Sequence, residues 1–448
     1  MRQGTRMRRW GWVAIAAAVG IATAGLGAPS AGAQSTGGGA TKATEIGVTA
    51  TTIRIAVVAD VDVTVDPGLF AGSVAGVEGY AKYINAHGGI AGRKLVVDFI
   101  DSKLSDTDAQ NGVIQACSKD FALVGTSALF LTSVANMQAC KDQAGVATGI
   151  PDMPVVTTEV VQQCNPESYP INPPSVICST QNDHPQTYQG NVGRAYYYQS
   201  KFGKLHGVYI FSSDLKSAYD SSFTSGIGGA RQVGIKSDQD FALSTGAPQS
   251  GYTPVIQAMK NDNSNYFGTG EAFNTMVLAR KEAALQGLNS IKVWDCTLQC
   301  YTPDLISQGG ADVNGTYVSL LFLPFNETSS NPMLANFIKY TDKTKTDGFS
   351  VQAWASAALF ADAVGKVVKA DGNNGLTRKA LFSALNTETA FSAGGMIGTT
   401  NIAGRKTSPC EVILQVQNGK FVRVYPSKVG TFNCAAKNVK TYKIDITS

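Results

Sequence analysis

Apolar and polar positions alternate most legibly across Glu78–Asp101. Val77, Tyr80, Ala81 and Ile84 recur at the three-and-four spacing of an amphipathic helix, and His87-Gly88-Gly89 supplies the glycine that ends such a helix in left-handed backbone. Leu95–Ile100 then forms a short apolar run, rich in β-branched residues and too short for a second helix. Ile53–Val58 is another such run, so Ile53–Ile100 reads as strand, helix, strand.

The same rhythm continues. Helices are expected at Thr107–Ser118 and Thr132–Ala144, with a strand at Phe121–Gly125 between them. Further on, Thr187–Phe202, Ala218–Ala230, Tyr252–Met259 and Phe273–Gln286 read as helices. Gly207–Phe211, Tyr266–Gly268 and Ile291–Trp294 read as strands. Gly315–Phe322 reads as a strand leading back, before helices at Pro332–Tyr340, Ser350–Lys369 and Thr377–Leu385. Asn418-Gly419 between Glu411–Val416 and Lys420–Val424 is a strong hairpin signal. Strands alternating with helices of this length imply parallel sheets with helices on both faces.

The N-terminus carries Arg2, Arg6, Arg8 and Arg9, an apolar run Trp10–Leu26 and the small-residue pattern Ala31-Gly32-Ala33. This predicts an export signal over residues 1–33, cleaved after Ala33, with no cysteine beside it for lipid attachment. Residues 34–50 read as a flexible Gly/Ser/Thr-rich tail. The four signal arginines account for the whole excess of 37 basic over 33 acidic side chains, so the mature chain is balanced. Nothing in that balance supports a nucleic-acid partner or an anionic membrane surface.

Eight cysteines in an exported chain favour disulfides, and nearest neighbours are the preferred pairs: Cys117 with Cys140, Cys164 with Cys178, Cys296 with Cys300, Cys410 with Cys434. Zinc is the weaker alternative, because the chain has three histidines and no C-x-x-C pair. No metal or other cofactor is expected.

In open parallel sheets, ligands bind beyond the carboxyl ends of the strands. That rule selects Asp66–Phe70, Thr126–Phe130, Ile150–Asp152, Ser212–Tyr219, Gly268–Phe273 and Asp295–Gln299 as candidate loops. Asp60, Asp62 and Asp66 lack the spacing of a calcium loop and read as a solvated strand end. No nucleophile elbow, phosphate-binding loop or H-E-x-x-H motif is present, so a secreted hydrolase is the minor alternative.

Asn85–Leu95, with its I-N-x-x-GGI-x-G-R-x-L pattern starting at Ile84, resembles the segment after the first helix of periplasmic solute-binding proteins of the branched-chain amino acid type. The resemblance implies an α/β protein of two Rossmann-like lobes, each a parallel sheet flanked by helices, joined by a multi-strand hinge. Lobe 1 would take residues 51–184 and 315–408, lobe 2 residues 185–314 and 409–448, with the crossing near Asn182–Pro185.

The resemblance further implies a monomeric receptor that captures an amino acid or related amide or acid and docks on an ABC permease. A sensor or scavenger without a permease is the alternative on the same fold. Thr126 and Ser127 would meet the ligand carboxylate, although Thr126 reads equally well as a helix cap. Asp152 lies where the chain passes the ligand, and Tyr219, Glu271 and Asp295 would approach from lobe 2, the two acids toward an amine. Phe70 and Phe130 are candidates for an aromatic wall, and Trp354 for the core. Asp295→Ala is expected to weaken an amine-bearing ligand and spare the fold.

Overall fold

The computed structural model describes residues 40–446 apart from Val65 and Pro174. The expected export signal and its cleavage point lie outside the described residues. The first elements are β1 (Thr52–Ala59), α1 (Ala71–Ala86), β2 (Lys94–Asp101), α2 (Asp106–Lys119), β3 (Ala122–Val124), α3 (Ala135–Gln138), β4 (Asp152–Met153) and α4 (Val160–Gln163). Then come β5 (Gln186–Asn191), α5 (Gly193–Phe202), β6 (His206–Ser212), α6 (Lys216–Ser222), α7 (Gly228–Gln232), β7 (Lys236–Leu243), α8 (Thr253–Asn261) and β8 (Tyr266–Thr269). The rest is α9 (Phe273–Leu285), β9 (Val293–Cys296), α10 (Pro303–Gly309), β10 (Thr316–Leu320), α11 (Pro332–Tyr340), α12 (Gly348–Asp371), α13 (Arg378–Leu385), β11 (Val412–Gln417), β12 (Lys420–Tyr425) and β13 (Val439–Ile444).

The fold is α/β, with parallel sheets flanked by helices. One sheet is four-stranded and parallel in the order β2-β1-β3-β4. β1 is buried on both faces, as a central parallel strand must be. Ile55 and Val57 pack toward α1 and α12, while Ala56 and Val58 pack toward Ala109 and Val113 of α2. The second sheet runs β12-β11-β10-β9-β8-β6-β7, parallel from β10 to β7 and antiparallel through the hairpin β11-β12. Asn418 and Gly419 turn that hairpin with φ of 50° and 68°, both in the left-handed region that the Asn-Gly pair suits. A separate antiparallel ribbon joins β5 to β13.

The glycine-rich turn after α1 explains its own sequence. Gly89, at φ 80°, sends its N–H back to Ile84, and a side chain there would collide with the Arg93 carbonyl. Arg93 is buried and donates to the carbonyls of Lys42, Thr49, Ala91 and Asn373. Residues 40–50, expected in the flexible tail, are therefore tied down: Glu45 also accepts the backbone N–H groups of Ile46, Gln143 and Arg378.

Helices α11 to α13 return to the four-stranded sheet after the second sheet is complete, and α12 lies along α1. The two approach so closely that a side chain at Gly72 or Gly76 would collide with Asp347 or Ser350. Trp354, Leu359, Phe360 and Val364 bury the rest of α12, as its all-round apolar sequence predicts.

All eight cysteines form the nearest-neighbour pairs. The Cys164–Cys178 loop lies against β4, where Asp152 donates its N–H to Glu167 and accepts one from Tyr169 at 2.7 Å. The loop covers the short edge of that sheet.

Several elements differ from expectation. The helix expected over Thr132–Ala144 shrinks to α3, since the chain turns through Gly145 and Gly149, both near φ 80° (83° and 80°). The front half of the expected Thr187–Phe202 helix is β5, fixed by pairing with the distant β13, and β7 and β13 were not anticipated. Ala218–Ala230 is broken by a π-helical turn at Phe223–Ile227, where Gly228 packs under Tyr442 and Ile444. β10, expected as the strand leading back, pairs inside the seven-stranded sheet.

Arg378 is fully buried and donates to the carbonyls of Cys117, Asp120, Phe121 and Lys141. Arg378→Ala strands those acceptors and should lower unfolding free energy by about 3 kcal/mol or more, read by urea titration of the purified protein.

Candidate functional site

The carboxyl ends of strands from both large sheets open toward one another. Beyond β1, β3 and β4 lie residues 60–70, 125–134 and 154–159; beyond β6, β8 and β9 lie residues 213–215, 270–272 and 297–302. Leu69 and Val156 from the first set, and Leu215, Phe273 and Leu298 from the second, all pack onto one apolar cluster. At Gly348 the approach is direct, since an added Cβ would lie 2.9 Å from Leu298 Cδ1. Glu159 lies beside Ser217 in the first turn of α6. A crevice lined by Gly207, Ile227, Arg231 and Lys236 lies at the opposite, amino ends of β6 and β7 and takes no part in this meeting.

On the four-stranded side, Asp60 is a clasp. Its buried carboxylate accepts from Ser102 Oγ at 2.6 Å, Leu104 N–H at 2.7 Å and Leu129 N–H at 2.8 Å, so the loops after β1, β2 and β3 hold one another. Asp60 is thus an internal acceptor, unlike the solvated strand end expected of it. Asp62 and Asp66 stay exposed.

Thr126 and Ser127 are fully buried, and their hydroxyls turn inward. Thr126 Oγ1 donates to Asp152 Oδ1 at 2.7 Å, and Ser127 Oγ lies 2.8 Å from Ser73 Oγ and 3.1 Å from the Gly125 carbonyl. Asp152, expected on a passing loop, is in β4, and its other oxygen accepts from Ser168 at 3.0 Å and Gln162 at 3.3 Å. Burial pushes the Asp152 carboxyl up to about 6 against the pull of those three donors. The loop that follows β4 is residues 154–159. Phe70 is 3% exposed and meets Phe349 edge-on at 4.9 Å, while Phe130 is half-buried.

On the seven-stranded side, Tyr219 is half-buried in α6 and stacks on Phe223 at 6.0 Å. Glu271, on the loop after β8, lies 3.3 Å from Ser222 Oγ and accepts a backbone hydrogen bond from Ser212. Burial raises its carboxyl above the ordinary range. Tyr219 and Glu271 therefore share the neighbourhood of α6.

Asp295 does not join them. It lies within β9, not on a loop, and is 2% exposed. Arg194 Nε donates to it at 3.0 Å, Tyr198 at 2.8 Å and Tyr266 at 2.7 Å, which engages both oxygens. Alternation in β9 accounts for this: Val293 and Asp295 face the sheet side covered by α5, Trp294 and Cys296 the other. Arg194 carried a signal that was overlooked, a lone guanidinium in an otherwise aromatic helix, Arg194-Ala-Tyr-Tyr-Tyr.

Residues 52–420 match the family model described as periplasmic binding protein. The chain belongs to that family. Its members bind ligands without transforming them, so this periplasmic binding protein is not an enzyme. No curated protein matches it by sequence. Among solved structures, the leucine-binding protein of Thermotoga maritima aligns with TM-score 0.62 at 16% identity, over 83% of this chain and 97% of its own. A branched-chain amino acid ABC transporter protein of Thermus thermophilus with bound valine aligns at 0.64 and 14%, over 87% and 97%. A fatty acid ABC transporter substrate-binding protein of Thermomonospora curvata aligns at 0.65 and 16%, over 86% and 97%.

The geometry reverses the expectation that Asp295→Ala spares the fold of this periplasmic binding protein. Removing the carboxylate leaves Arg194 buried and uncompensated, so the variant should lose about 3–5 kcal/mol of stability by chemical denaturation. Asp152 generates a pH prediction. Between its unfolded value near 4 and its folded value of about 6, the native protein holds a proton that the unfolded chain releases. Stability from this group therefore falls as pH rises through that window, and Asp152→Asn should flatten the slope in pH-dependent unfolding curves.

Proposed function

We propose that this periplasmic binding protein is the extracytoplasmic binding component of an ABC importer, capturing an amino acid or comparable small organic solute between two closing halves. The halves divide near residues 184, 320 and 408, each built around one of the larger sheets. The observation that carries this reading is the meeting of strand ends from both sheets, with apolar and acidic side chains contributed by each. Four disulfides agree with residence in an oxidising compartment.

In the proposed mechanism, the loops after β3 and β4 receive part of the solute, and Glu271 with its neighbour Tyr219 engages it as the halves close. Phe130 stands at the rim of the loop after β3. Thr126, Ser127, Asp152 and Phe70 act from behind by fixing the loops, and Asp295 fixes the sheet beneath. Closure requires the solute to bind the shut form better than the open one. The shut form is then what a membrane permease accepts.

Small-angle scattering with and without the solute that co-purifies, identified by mass spectrometry, tests this. Ligand should reduce the radius of gyration, and Glu271→Ala should weaken binding about tenfold or more while leaving the thermal midpoint of the empty protein nearly unchanged. A bound solute that leaves the scattering profile unaltered, or that is converted to product, would sink the reading.

A further inference from the structure

Resting on that reading, the chemistry of the facing loops narrows the solute. A buried carboxylate needs a cation or a set of free donors, because desolvating it alone costs several kcal/mol. The loops offer neither. Among the described residues of 60–70, 101–105, 125–134, 154–159, 212–216, 269–273, 296–302 and 341–349, no arginine, lysine or histidine is buried. Lys103, Lys216, Lys343 and Lys345 are exposed, and Lys216 is paired with Asp220. The hydroxyls of Thr126 and Ser127, which would be the natural donors, point at Asp152 and Ser73.

The half-buried acids stand in contrast. Glu159, Glu271 and Asp347 come from both halves of the chain; Asp347 caps α12 through Ser350 N–H at 2.7 Å. Glu271 has hydrogen-bond donors but no ion-pair partner among the described residues, so its carboxylate is the group that a cation would complete. The remaining loop side chains that reach the shared cluster are Val156, Leu215, Phe273 and Leu298.

We propose that the solute is an apolar amine without a free carboxylate, its ammonium at Glu271 and its hydrocarbon part against Val156, Leu215, Phe273 and Leu298. A carboxylate on the same molecule would enter a region that holds only acids and aliphatic or aromatic walls, and like charge there excludes it.

Matched series test this by isothermal titration and thermal shift on the purified full chain: isopentylamine, leucine and 4-methylpentanoate, and phenethylamine, phenylalanine and 3-phenylpropanoate. The amines should bind at least about tenfold more tightly than the corresponding amino acids, and the acids should not bind. Glu271→Gln should reduce amine binding by about tenfold or more with the empty protein's melting point held. Leucine or phenylalanine binding as tightly as its amine overturns the inference while the solute-binding reading stands. Failure of all six compounds overturns it as well, and native mass spectrometry for a carried solute then judges the solute-binding reading separately.

Discussion

The contact between α1 and α12 is the constraint from which the rest of the molecule follows. Gly72 and Gly76 let the helices approach until side-chain and backbone atoms of Asp347 and Ser350 fill the space where a Cβ would stand. α1 follows the first strand, whereas α12 arrives only after the second sheet is built. The four-stranded sheet thus cannot complete its helical cover from neighbouring sequence. The chain must leave, build β6 to β10 and return, and this wandering produces two sheet-centred halves linked by repeated crossings. The entrance of α12 also brings Phe349 to Phe70 and Gly348 to Leu298, which sets the spacing of the facing loops.

How the protein treats buried charge separates its scaffold from its candidate site. Arg93 and Arg378 are surrounded by backbone carbonyls, and Arg194 by Asp295 and the Ser319 hydroxyl. Such groups are saturated and hold distant segments in register. Asp60 does the same for three loops with three donors. Glu271 differs, having donors but no counter-charge among the described residues. A fold this careful elsewhere leaves that place incomplete where an incoming molecule would finish it.

Local pattern made the βαβ opening, the glycine turn, the Asn418-Gly419 hairpin, the long apolar helix and the disulfide pairs legible, because each is decided by residues close in sequence or by simple chemistry. β5 and β13 were hidden because each is a strand only by virtue of the other, far along the chain. β7 was hidden because an exposed edge strand such as Lys236–Leu243 shows no apolar alternation. The candidate loops were selected correctly as strand ends in most cases, but the direction of side chains within them was not readable. Thr126 and Asp152 sit in promising positions and face each other, and Asp295 belongs to a strand whose register decides its company. Hydroxyl orientation is a tertiary fact, set by which acceptor happens to be packed behind.

The proline-rich loop closed by Cys164 and Cys178 has a consequence beyond its own stiffness. A strand of two residues would otherwise leave the first sheet with a raw margin, open to stray pairing between molecules at high local concentration. By lying along β4, the loop serves as a selvedge: the weave ends there, and a neighbouring copy finds no free thread to continue.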